Sequence, residues 1–443
     1  MARMFGQGST TIQHCRSALA RRTSAAAVMG MLSGVTVLYG EAAFAEPVQV
    51  DTGVSALYSD NMDRRENNPE SDIRYRPFVA INHITDPGTC ESRLASEVAY
   101  LFYENNTSDD QSEISLGWDG DCEIGSYLSW MAHDSIRQVV SDNRAVDTPN
   151  NRERRNVFET GPRLEVPLGR TTSFFSSVKW QKTSFQDTEE DDSERWIGNA
   201  GLSRQFSPYM TGSLQYSLTD AEFENGDTLT QKTTSVGLER QFNKNRVSGQ
   251  VGYSQLESET ATSTNDYDAV TWDLSASRQL DAARSARLSV SRQLTDTSTD
   301  IDIQLGGIDF TLTDTQALEI TVFRLDYEEA FQSGLSANLF TTYTSSDYVE
   351  TERKETSWQT GLNLAQQVSS LVTFQGALSY ERERFEPEGL NSNLYQASIG
   401  IDYQRTQDLR LGASVGHNLR DADAQLIDYR ENWVKVSLSY NLR

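Results

Sequence analysis

The chain has 443 residues, 37% hydrophobic and 23% charged, and its 39 basic against 64 acidic side chains give a net charge of -25. That balance excludes a general nucleic-acid binder, because a polyanionic backbone is repelled. The mean hydropathy is -0.57, and beyond the extreme N-terminus no apolar run is long enough for a membrane-spanning helix.

Residues 1–45 read as a secretory signal. Arg3, Arg16, Arg21 and Arg22 precede an apolar run from Ala25 to Tyr39, and Ala43-Phe44-Ala45 offers the small residues of a cleavage site. Residues 46–443 are then expected to form one domain, more acidic still once those arginines are removed. Of the three cysteines, Cys15 falls in the signal, leaving Cys90 and Cys122 as a candidate disulfide in an exported protein.

From Val48 onward, short segments alternate apolar and polar residues with a period of two. In 72–82, Ile73, Tyr75, Val79 and Ile81 share one face, and Arg74, Arg76 and Asn82 the other. In 112–119 the apolar face is Ile114, Leu116 and Trp118. In 209–220 it is Met210, Leu214, Tyr216 and Leu218; in 371–381 it is Val372, Phe374, Leu378 and Tyr380. The last segments carry Tyr395, Ala397, Ile399, Ile401 and Tyr403, then Val434, Val436, Leu438, Tyr440 and Leu442. About 18–20 such segments are legible by this period.

The connections alternate in character. Short ones are read at 86–90, 120–121, 169–171, 207–208, 243–245, 281–285, 369–370 and 406–407. Long, charged ones are read at 60–71, 134–153, 187–193, 257–266, 295–315, 347–355, 382–391 and 421–427. Short turns at one end and long loops at the other predict an all-β, up-and-down antiparallel barrel of the outer-membrane type. A soluble sandwich would show similar alternation, but its connections would not sort this way. Aromatic residues near the segment ends, Tyr58, Tyr75, Trp180, Tyr253, Tyr343, Tyr380, Tyr403 and Tyr440, fit the girdles at the two membrane boundaries.

The polar faces should then line a wet lumen. Candidate lumen-lining residues are Arg74, Arg76, Arg93, Glu97, Glu159, Arg163, Lys179, Glu239 and Asp402, together with Glu165, Arg195, Asp273, Glu319 and Lys435. Both signs are present, so no simple ion preference follows. Cys90 and Cys122, each placed at a short turn beside adjacent strands, would tie two turns. Ser203-Arg204-Gln205-Phe206, Glu239-Arg240-Gln241-Phe242 and Ser277-Arg278-Gln279-Leu280 end successive downward strands. Their arginines are expected to anchor the wall at the membrane interface, while Ser291-Arg292-Gln293-Leu294 breaks the spacing.

The opening strand Val54–Tyr58, the Tyr58-Ser59-Asp60-Asn61 turn, and Asp72-Ile73 leading to Arg76-Pro77 resemble the start of β-barrel porins of bacterial outer membranes. Such porins often accompany exopolysaccharide or capsule gene clusters. The resemblance implies a channel for hydrophilic solutes linked to polysaccharide export. It also implies outer-membrane lipid, lipopolysaccharide and the barrel-assembly machinery as partners. The final Tyr440-Asn441-Leu442-Arg443 departs from the terminal aromatic residue such barrels usually carry.

No catalytic, cofactor or metal site is expected. His83, His133 and His417 lie apart, and His417 with Asn418 and Ser414 fits no hydrolase spacing. The acidic run 187–192 reads as a solvated loop before it reads as a Ca2+ site. The alternative to a channel is a structural or adhesive barrel plugged by its own loops, with 134–153 and 295–315 the segments expected to fold inward.

Overall fold

The computed structural model describes residues 48–442, apart from 86–87, 143, 188–191, 261–262, 297–316 and 352. Among them run twenty strands. They are β1 (Gln49–Ser59), β2 (Asp72–Ile84), β3 (Cys90–Tyr103), β4 (Gln111–Glu123), β5 (Leu128–Val140), β6 (Arg152–Pro167), β7 (Thr172–Phe185), β8 (Ser193–Ser207), β9 (Met210–Phe223) and β10 (Thr228–Gln241). The remainder are β11 (Asn245–Glu259), β12 (Thr264–Gln279), β13 (Arg284–Asp296), β14 (Ala317–Ala330), β15 (Leu335–Tyr348), β16 (Lys354–Ser369), β17 (Val372–Glu386), β18 (Leu390–Gln404), β19 (Leu409–Ala422) and β20 (Tyr429–Leu442).

Each strand pairs antiparallel with its neighbours in the chain, and β1 pairs with β20 from Val50 opposite Leu442 to Ser59 opposite Trp433. The wall is a closed barrel, so no strand edge is left with unpaired backbone groups.

Period-two side chains divide that wall into two faces. Outward-facing Val236 and Ile399 are 62% and 67% exposed, exposures no soluble core would leave to apolar residues of this size. They belong to a belt with Val98, Leu214, Val251, Val270, Leu339, Leu378, Val415 and Val436. The tyrosines and Trp180 expected in the girdles all share this outward register, as in Tyr343 opposite Trp358 and Tyr380 opposite Tyr395.

Inward-facing aromatic rings lie over inward-facing glycines of the next strand. Phe78 covers Gly53, Phe175 covers Gly201, Phe340 covers Gly361 and Trp433 covers Gly416, leaving no room for a Cβ at those positions. Such pairs offset the side chain a strand glycine lacks.

At one end (the turn end) the connections are short, with 208–209 and 370–371 the tightest. At the other (the loop end) they include 60–71 and 141–151. The expected sorting is incomplete, because loop-end connections 224–227, 260–263 and 387–389 are as short as the turns. The segments 257–266 and 382–391, expected to be loops, are mostly strand. Of 134–153 only the ends are strand, β5 continuing to Val140 and β6 starting at Arg152, so that the connection itself is 141–151. Similarly, β4 runs through the turn expected at 120–121 and ends at Glu123.

The physical reason is an inversion of polarity. Toward the loop end the outward residues become charged, as in Lys182, Glu194, Asp220, Glu257, Asp266, Arg382 and Arg384. The inward ones become apolar and buried, as in Leu101, Val157, Phe185, Phe223, Leu256, Ile320 and Phe385. The strands thus extend past the apolar belt into water and enclose a packed interior. Four buried apolar clusters lie there, including Leu318, Ile320, Val322 and Tyr348.

Candidate functional site: a polar lumen crossed by a loop

The register places Arg74, Arg76, Arg93, Glu97, Glu159, Arg163, Glu165, Lys179, Arg195, Glu239, Asp273, Asp402 and Lys435 on the inward face. Glu319 is the correction. Its neighbours Leu318 and Ile320 are buried in one inward cluster with Val322 and Tyr348, so Glu319 between them faces outward, where it ion-pairs with Arg292. Glu319 lies above the belt, where polarity is reversed and a charge on the strand marks the outer face.

Most inward charges are paired along the wall. Arg76 bridges Glu97 and Glu113, the latter at 2.7 Å. Lys179 Nζ is 3.0 Å from Glu159, Arg246 2.8 Å from Glu239, and Arg163 3.6 Å from Glu165. Gln375 donates to Asp402 at 2.5 Å. Leu57 on β1 has Arg74 on one side and Lys435 on the other in the same register row. Neither cation has a carboxylate within ion-pair distance among the described residues, and Arg74 Nε is buried without a hydrogen-bond partner.

Above this row the loop 141–151 leaves the β5–β6 hairpin and reaches the wall built by β17–β20. Asn151 folds the loop on itself, donating to Asp142 O at 2.7 Å and Val146 O at 3.2 Å and accepting from Asp142 N at 2.9 Å. On the far side, Arg144 meets Glu388 at 3.3 Å and lies 5.5 Å over the Phe385 ring, while Arg420 donates to Arg144 O at 3.3 Å. Arg64, from the 60–71 loop, donates to Asp147 O at 2.5 Å and to Glu431 on β20 at 3.0 Å.

Arg152 grips the Asp147 carboxylate with two bonds of 2.6 and 2.8 Å. Burial by itself would raise that carboxyl. The hydrogen bond and charge of Arg152, with the charges of Arg64 and Arg74, outweigh burial and hold it below the usual carboxylate range. A cavity of about 360 Å³ remains beneath the loop, lined in part by Arg74, Gln111, Gln138, Gln396 and Trp433.

A second crossing starts from the end of β13. Asp296 forms a buried ion pair with Arg195 on β8, and Leu294 O accepts from Gln231 on β10 at 2.5 Å. The expected inward segment 295–315 lies outside the described residues beyond this root.

Cys90 and Cys122 are disulfide-bonded, directly opposite each other on β3 and β4 with a Cα separation of 4.0 Å. The bridge therefore ties the turn-end margins of one hairpin on its outward face, not two turns. Arg204, Arg240 and Arg278 face outward near the turn end, with Arg204 5.8 Å over Phe206 and Arg240 4.4 Å over Phe242, as membrane anchoring requires. Arg292 instead lies over Trp272 near the loop end.

The wall separates His417 from Asn418 and Ser414. His417 faces outward and bonds Asn432 at 2.8 Å, and Asn418 faces inward and donates to Glu431 at 2.9 Å. Of the acidic run, residues 188–191 lie outside the described residues, and Asp192 accepts from Phe185 N at 2.6 Å, closing its own loop. No periodic signal in the sequence marks the contacts that Arg64, Arg144 and Asp296 make.

No protein-family model matches the sequence, and no curated protein is similar to it. Several solved structures are similar in fold. The outer membrane protein OpdK from Pseudomonas aeruginosa is 11% identical with a TM-score of 0.42, over 90% of this chain and 100% of that one. OccK2 (OpdF) from the same organism, in complex with glucuronate, is 10% identical with a TM-score of 0.43, over 90% and 100%. The FrpB iron transporter from Neisseria meningitidis, F5-1 variant, is 10% identical with a TM-score of 0.43, over 90% and 83%. A closed wall leaves no backbone group unpaired against lipid, and with its apolar, aromatic-edged exterior and polar interior the chain has the fold of an outer-membrane-type β-barrel.

Proposed function

We propose that the barrel is a porin-like channel for hydrophilic solutes. In this reading its turn end faces the periplasm and its loop end the exterior. The observation that carries the proposal is the inward polar face, which continues through the apolar belt up to the 141–151 loop. That loop is held across the lumen by side-chain ion pairs and hydrogen bonds, an arrangement that narrows a bore.

A carbohydrate chain is the finer solute class. Phe78, Phe175, Phe340 and Trp433 are inward-facing aromatic residues, each against a glycine of the next strand, and aromatic rings on a polar wall suit the alternating C–H and hydroxyl surfaces of a sugar. Export of an exopolysaccharide would use such a surface.

The competing reading, a plugged structural barrel, is favoured by the buried apolar clusters and the Arg195–Asp296 crossing at the loop end. Conductance in planar bilayers decides between them. Stable current steps that grow when residues 141–151 are replaced by a short Gly-Ser link support the channel. The absence of steps in both the native barrel and the loop variant supports the plug.

A further inference from the structure

A second cavity, of about 590 Å³, opens at the turn end of β11–β14, far from the crossing loop. One register row builds it: Arg246 stands opposite Ser277, Ser277 opposite Arg287, and Arg287 opposite Asp326, all on the inward face. The next row sets Ser289 against Arg324.

The nearby acids are already engaged. Arg324 holds Asp326 through Nε at 2.9 Å and Nη2 at 3.0 Å, and Arg246 holds Glu239 at 2.8 Å. Arg287 is exposed and has no carboxylate within ion-pair distance among the described residues. Lys244 at the adjoining turn adds to the basic lining, against only Asp326 and Glu328 among its acids. On a chain of net charge -25, a recess with this excess of cations is not what average composition would place there. A guanidinium with no partner in the wall presents its planar fork to a carboxylate or phosphate.

We propose that this recess binds an oxyanion carried on a hydroxyl-rich solute, with Arg287 receiving the oxyanion while Ser277 and Asn338 meet hydroxyls. In the orientation proposed above the recess lies at the periplasmic mouth, so it would be the first contact of an anionic sugar leaving the cell. That last point rests on the channel reading; the binding itself does not.

Binding to the purified barrel in detergent is measured by titration calorimetry with trigalacturonate, maltotriose and inorganic phosphate. Trigalacturonate should bind more tightly than either of the others, with an affinity that falls as salt rises. Arg287→Gln should weaken it about tenfold, the loss of one charged contact, while Arg287→Lys, which keeps the charge and loses the fork, should fall between. Each variant should retain the heat-shifted gel mobility of a folded barrel. Equal binding of maltotriose, equal binding of phosphate, or an unchanged affinity in folded Arg287→Gln would each overturn the proposal. Since the titration needs no current, a barrel that binds trigalacturonate but never conducts would defeat the channel and leave this site standing.

Discussion

Arg195 and Asp296 form a two-pronged ion pair, Nη1 to Oδ2 at 2.7 Å and Nη2 to Oδ1 at 2.6 Å, that joins β8 to the end of β13. The two side chains are 2% and 4% exposed. A pair this deeply desolvated gives little net stability compared with apolar residues of the same volume, yet it is costly to break on one side.

The first prediction follows from that asymmetry. Arg195→Ala should destabilise the barrel by about 3–5 kcal/mol, the penalty for leaving a buried charge unpaired, read as a lower urea midpoint in detergent. Arg195→Met combined with Asp296→Leu should recover most of the loss. A double variant as unstable as the single one would show that packing around Arg195, including its 5.6 Å contact over the Phe223 ring, outweighs the charge.

The second concerns acid. Because the Asp147 carboxyl titrates below its ordinary range when folded, its contribution is complete above the unfolded value of about 4 and is lost as pH falls through the lower folded value. The grip of Arg152 and Arg64 on the crossing loop should therefore hold at neutral pH and fail only below pH ~4. In bilayers, current fluctuations from the loop should rise below that pH, and Asp147→Asn should show them already at pH 7. Fluctuations that begin instead between pH 5 and 7 would point to a different group.

How far these features could be read from sequence depends on height in the membrane. Within the belt, lipid on one side and water on the other enforce strict alternation, so Arg74, Lys179 and Asp402 were legible as inward residues from period alone. Above the belt water lies outside and packing inside. Glu319 was therefore misplaced, and the charged strand ends Glu257–Glu259 and Arg382–Glu386 looked like loops. Contacts across the lumen leave no periodic trace: Arg144 and Glu388 are 244 positions apart, and nothing in either neighbourhood announces the other. The Cys90–Cys122 pair was legible by count, but its exact seat was not, because Gly120 and Asp121 read as a turn while the backbone continues as strand to Glu123.

The third prediction uses that bridge. Cys90 and Cys122 are 32 positions apart, and linking them removes loop-closure entropy from the unfolded chain worth about 3–4 kcal/mol by the chain-entropy relation. Because both lie on the outward face near the turn end, away from the lumen, Cys90→Ser with Cys122→Ser should lower the urea midpoint and leave conductance unchanged. A change in conductance would mean that the bridge also sets the shape of the bore.

The fourth tests the lumen itself and rests on the channel reading. Arg74 and Lys435 flank Leu57 in one row, and neither is neutralised by a carboxylate at ion-pair distance among the described residues, whereas Arg76, one row away, is held by Glu97 and Glu113. In water-filled bore a unit charge acts on a passing ion about 8 Å away with about 0.5 kcal/mol, roughly a twofold effect on permeability per charge. Arg74→Gln with Lys435→Gln should then move the reversal potential in a KCl gradient toward cations. Arg76→Gln should shift it toward cations as well, since it exposes both carboxylates. A reversal potential that ignores the Arg74 and Lys435 pair, in a barrel that still conducts, would place the conducting path on another side of the loop 141–151.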